Sequence, residues 1–277
     1  MSLGFNSSLI ALIVVFLAAS CEKSEPIILD GHLNSVDATV TDDESTEDLG
    51  CDTAHLDDNF IFYNQGEAFL TGGPADSQHF DISNWDLNPC NLRFGFCREH
   101  FPTVYDPTYE TREGGDFAYD ADDRFILVED GDVKAYSIEL LVKHEAVNDT
   151  TNGHPILVAY CVLADLPIVY SRNYCGNTHT FALSGYTYHD KRYHWDTEAF
   201  VMWDRETESL WFPLAEKSVS GTMDEVQLET FNQSKWRVTT YADIQQNYPT
   251  AKLLARDIVV DPPEGWPTID PADVNCN

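Results

Sequence analysis

Positive charge is what this chain has least of. Its 277 residues carry 16 Lys and Arg against 47 Asp and Glu, a formal net charge of −31. A nucleic-acid binder must offer Lys and Arg to phosphates, so the deficit excludes that class. Docking on anionic lipid headgroups is excluded for the same reason. What remains is a heavily solvated acidic surface of the salt-adapted kind, which speaks to solubility rather than function. Motifs are missing too: the chain has no C-x-x-C pair, no zinc-type ligand spacing, no Gly-rich phosphate loop and no internal repeat. Ser184 in "LSGY" lacks the G-x-S-x-G frame of a nucleophile elbow, which sets a serine hydrolase aside. "DADDR" and "EDGD" do not fit the D-x-D-x-D-G-x₅-E calcium loop and read as acid-rich turns. Long Ala/Leu/Lys/Glu runs are few, whereas 15 Phe and 13 Tyr lean the chain toward strands.

What is there begins with "SSLIALIVVFLAASC", an apolar run too short for a comfortable membrane span, ending in small residues before Cys21. That order predicts a lipoprotein-type signal peptide over residues 1–20, with Cys21 as the lipidated residue and membrane anchor; an ordinary secretory signal is the alternative. Both place the mature chain outside the cytoplasm, membrane-anchored (periplasmic or cell-surface) in one case and secreted in the other. Setting Cys21 aside leaves Cys51, Cys90, Cys97, Cys161, Cys175 and Cys276, an even set that reads as a disulfide framework in an oxidising compartment. Cys276 sits beside the last residue, and a disulfide there is the economical way to pin a terminal tail.

Residues 21–58 are polar and acidic ("DATVTDDESTEDLG") and read as a disordered tether that buries too little to fold alone. The globular part is predicted over 59–260, followed by a Pro-rich tail over 261–277. Inside it, "RFILVEDGDVKAY" is two apolar runs about an Asp130-Gly131 turn, a hairpin signal. "YSIELLVKH" reads as a short helix. "HEAVND" and "ILVAYC" read as strands joined through "TTNG", and "HPILVAYCVL" pairs with "LPIVYSR" about Ala164-Asp165. "THTFALSGYTY", "EAFVMWD" and "SLWFPL" continue the strand series, with a turn at Glu206 to Glu208 fixed by an ion pair of Asp204 with Arg205. Late in the chain "TTYADIQQNYP" predicts a helix capped by Thr239 or Thr240 and followed by Pro249. The sum is a β-dominated α+β fold, a single antiparallel, hairpin-rich domain with a few short helices.

From about residue 98 to 255 the chain resembles the bacterial family of domain of unknown function 3179. The resemblance rests on "FPTVYDPTYE", "DGDVKAYSIELLVKHEAVND", "GHPILVAYCVL", "FALSGYTY", "FVMWDRETESLW", "SVSG" and "TTYADIQQNYP", which fall in the family's order. It implies an extracytoplasmic, often lipoprotein-like protein and carries no established activity. Where the family reads Tyr-Cys-Pro-Leu-Cys, this chain has Tyr160, Cys161, Val162, Leu163 and Ala164, so the second cysteine is missing. The stretch "HDKRYHWDTEA" is also longer than the family's usual one.

The chemistry-bearing candidates are His144 and Cys161. If their segments are neighbouring antiparallel strands, His144, Ala146 and Asn148 share a face, as do Leu157, Ala159 and Cys161. Imidazole and thiolate in contact serve transition-metal ligation, a nucleophile with its base, or a redox thiol. As a metal site His144 and Cys161 need further ligands, with Glu145, Asp149, His154 and His189 in reserve; as a catalytic site Asn148 or Asp149 would orient the base. The structural alternative makes Cys161 a buried small hydrophobe or half of a disulfide, with His144 hydrogen-bonded nearby. A second cluster, "SGYTYHDKRYHWD", concentrates Tyr188, His189, His194 and Trp195 on a loop that either lines a ligand pocket or is a surface insertion with its own small cluster. Two functions follow: a membrane-tethered extracytoplasmic binding or accessory module with a degenerate Cys/His site, its protein or small-molecule partner unnamed, or a thiol- or metal-dependent oxidoreductase or hydrolase using Cys161 and His144.

Overall fold

Turn residues set the pairing of this chain. Asp130 and Asp132 face each other across Gly131, whose φ of 78° suits glycine, and Asn152-Gly153 turns the next hairpin with φ of 46° and 80°. The computed structural model describes residues 60–73, 76–111, 119–194, 196–256, 258 and 274. The signal, tether and tail expectations, with Cys21, Cys51, Trp195 and Cys276, lie outside them.

The described chain opens with β1 (Ile61–Asn64), β2 (Glu67–Leu70) and β3 (Phe80–Asp81), which form one small antiparallel sheet. Next come β4 (Leu92–Phe94), β5 (Tyr109–Thr111), β6 (Arg124–Asp130) and β7 (Asp132–Ser137). Helix α1 (Ile138–His144) precedes β8 (Ala146–Thr151), β9 (His154–Cys161) and β10 (Leu166–Ser171). A ribbon of β11 (Asn173–Tyr174) and β12 (Asn177–Thr178) leads to β13 (Phe181–Tyr188), β14 (Ala199–Asp204), β15 (Leu210–Phe212) and β16 (Lys217–Ser220). Finally β17 (Trp236–Thr240) runs into α2 (Tyr241–Asn247) and then β18 (Lys252–Leu254). The hairpin series and both helices thus stand where the sequence places them, and the fold is β-dominated and largely antiparallel; among the named strands, the pairing of β7 with β18 is parallel.

Three sheets make the body: β16-β15-β14-β13-β4, β10-β9-β8 and β17-β6-β7-β18-β5. The middle one is buried on both faces. From β9, Leu157, Ala159 and Cys161 enter one core with Phe181, Met202 and Trp211; Ile156, Val158 and Tyr160 enter another with Ile126, Tyr136 and Leu141. That is why "ILVAYC" is a continuous apolar run rather than an alternating one. A third cluster packs Tyr241 and Ile244 of α2 on Phe125, Leu127 and Leu253. Thr240 caps α2, its hydroxyl accepting from the Asp243 amide at 3.4 Å.

Candidate functional site

Helix α1 decides the geometry around the free cysteine. It ends at His144, and Glu145 takes a left-handed conformation (φ 57°) whose N–H donates to the Leu141 carbonyl. Strand β8 therefore starts at Ala146, two residues later than a strand containing His144 requires. Ala146 pairs with Ala159 and Asn148 with Leu157, so the expected common face holds for these residues. His144 leaves it: its Nδ1 lies 2.7 Å from the Pro102 carbonyl. The group whose charge is felt at Cys161 is Glu145.

Cys161 is a free thiol, 1% exposed, at the end of β9. Burial pushes it up from the ordinary thiol value. Backbone amides of Phe200, Ala164 and Leu163 pull the other way, and Glu145 adds to the rise. A thiol held neutral is a poor nucleophile and a poor metal ligand. Glu145 is itself 7% exposed, and desolvation raises its carboxyl to about 8. Cys90, Cys97 and Cys175 are disulfide-bonded.

Asn148 and Asp149 are drawn into a polar seam between sheets. The Asn148 side chain bonds both the N–H and the carbonyl of Phe181 at 2.8 Å, which joins β8 to the start of β13. Asp149 receives Lys134 Nζ at 2.8–2.9 Å and the hydroxyls of Tyr136 and Tyr109, tying β8 to β7 and β5. Burial leads the rise in both phenols, so they act as donors. Arg172 is buried between these groups and donates to the carbonyls of His179 and Asp149. Neither Asn148 nor Asp149 therefore stands as an orienter beside His144.

The seam continues to residues that sequence reasoning passed over. His179 Nδ1 lies 3.0 Å from Asp204 Oδ1, and both side chains are sealed from solvent. Asp204 also accepts from the Thr207 amide and hydroxyl and from Trp211 Nε1. The expected ion pair of Asp204 with Arg205 is not formed: Arg205, the first residue of the turn after β14, pairs with Glu99 and lies over the Tyr105 ring, while Asp204 faces His179, Thr207 and Trp211. Glu206 accepts from the Thr180 amide at 2.6 Å. A lone histidine in "NTHTF" and an acid in a turn carry no spacing signal, so only folding shows the group.

On the far side of this turn lies an open cleft of about 560 Å³, lined among others by Phe69, Asp81, Ser83, Asn84, Thr207 and Glu208. The aromatic loop, by contrast, is largely self-satisfied. Tyr188 is fully buried and meets Phe212 edge-on. The backbone amide of His189 donates to the Asn91 carbonyl, and its buried ring Nε2 has no hydrogen-bond partner among the described residues. His194 Nδ1 accepts from the amides of Asp196 and Thr197. Ser184, at the β13 bulge, spends its hydroxyl on the Val201 carbonyl and the Tyr186 amide.

Fold and site together define a β-dominated domain with a sealed thiol, a buried polar seam and an open cleft. The family model described as "Protein of unknown function (DUF3179)" matches residues 98–261, more than half of the chain, and the chain belongs to that family. No curated protein and no solved structure matches it.

Proposed function

We propose that this protein is a membrane-tethered, extracytoplasmic binding or accessory module whose Cys/His corner is structural. The observation that carries the reading is the state of Cys161: free, buried, neutral, and without His144 as its base. The competing reading, a thiol- or metal-dependent oxidoreductase or hydrolase, needs a thiolate and an activating base in contact. What is open to a ligand is the cleft beside Thr207 and Glu208, whose volume falls in the range of small-molecule sites. Tethering at Cys21 and an oxidising location are supported by the N-terminal apolar run and by the bonded cysteines.

Two measurements test this on the full chain. Membrane fractionation expects the wild type in the membrane and Cys21→Ser in the soluble fraction; a soluble wild type overturns the tether. Iodoacetamide labelling of native protein, followed by peptide mapping, expects Cys161 unlabelled until unfolding. Fast native labelling at Cys161, or a turnover abolished by Cys161→Ala or His144→Ala, sinks the binding-module reading.

A further inference from the structure

The structure assigns a second candidate centre, away from Cys161: we propose that His179, Asp204 and Glu206 bind one divalent transition-metal ion behind the wall of the cleft. The three residues come from the short link between β12 and β13, the end of β14 and the turn after it. One ligand atom from each lies within 4.8 Å of the others, and all three residues are buried. The spacing of 3.0 Å between His179 Nδ1 and Asp204 Oδ1 suits two neighbouring ligands on an ion with bonds of about 2.0–2.2 Å. An imidazole with two carboxylates is a donor set for zinc- or manganese-type ions rather than for calcium.

Charge supplies the second, independent argument. Two carboxylates, 0% and 5% exposed, face each other here. Among the described residues, Glu206 has no ion pair, and Asp204 has only His179. The guanidinium groups that feel Glu206 are committed elsewhere: Arg172 to the carbonyls of His179 and Asp149, Arg205 to Glu99. Buried carboxylates without a directly paired cation are costly, and a dication removes that cost. His179, in a ring 1% exposed, turns Nδ1 toward Asp204, so the nitrogen an ion would take already faces the carboxylates. Around the group, partners already hold the donors in place: Trp211 and Thr207 on Asp204, the Thr180 amide on Glu206. The ion would lock the turn that carries Thr207 and Glu208 into the cleft wall, a role independent of Cys161.

A competing acidic group, Asp86, Asp224 and Glu225, provides the control, because it is more exposed and two of its carboxylates, Asp86 and Glu225, already share Lys217. The test uses the full chain purified without chelator, read by elemental analysis and by thermal unfolding with EDTA and with added Zn²⁺. The expected result is about one ion per chain and a rise in Tm of about 5–10 °C at Zn²⁺ near 100 times its Kd. Both effects should be lost in Glu206→Gln, which keeps an acceptor for the Thr180 amide, and in His179→Gln, and retained in Glu225→Gln. Absence of bound metal together with a Tm unmoved by Zn²⁺ and EDTA overturns the proposal. So does a Zn²⁺ effect that survives Glu206→Gln and vanishes in Glu225→Gln.

Discussion

Replacing Glu145 by glutamine isolates the energetic consequence of burying a carboxyl beside Cys161. In the unfolded chain Glu145 titrates near its ordinary value of 4.5, and in the folded protein desolvation raises it to about 8. Between those values the unfolded chain releases a proton that the folded chain keeps, so the folded state binds more protons and stability falls as pH rises. At about 1.4 kcal/mol per pH unit, the penalty is small near pH 4.5, about 3 kcal/mol at pH 7, and about 5 kcal/mol above pH 8, where it levels off. Glu145→Gln removes the titration while keeping a neutral polar group of the same shape. The variant should match the wild type near pH 4.5–5 and exceed it by roughly 3 kcal/mol at pH 7. That gain corresponds to about 6–12 °C in Tm for a domain of this size. Urea unfolding at pH 5, 7 and 8.5, with disulfides intact, reads the difference directly. A stability gain that is the same at pH 5 and pH 8.5 refutes the reasoning, since it means the carboxyl titrates normally in the fold.

Lys134→Met leaves Asp149 buried without its ammonium partner and should cost about 3–5 kcal/mol in urea unfolding, part of it regained in the double variant with Asp149→Asn; a loss below 1 kcal/mol would mean that the phenols alone satisfy the carboxylate. Gly185→Ala places a Cβ 1.9 Å from the Phe96 carbonyl oxygen at a φ of 87°, so it should cost more than about 3 kcal/mol or stop folding. A Gly185→Ala protein with wild-type Tm contradicts the close approach.

Much of the architecture was legible in the residues alone. Asp130-Gly131, Asn152-Gly153 and the Thr240 cap are local devices, and local devices act wherever the chain carries them. The same holds for strand periodicity, which placed Ala146 and Asn148 on the face shared with Leu157 and Ala159. Tertiary structure decided the rest. One left-handed residue after α1 removed His144 from the strand and set Glu145 beside Cys161, a choice made by helix termination rather than by spacing. Burial of the middle sheet on both faces made Cys161 a sealed, neutral thiol, which composition does not reveal. Asp204, the last residue of β14, reached His179 instead of Arg205, which the turn carries to Glu99, and His179 approaches from a segment 25 residues earlier. Sequence fixes which groups a chain owns and how each bends locally; which distant groups share a dry space is a property of packing alone.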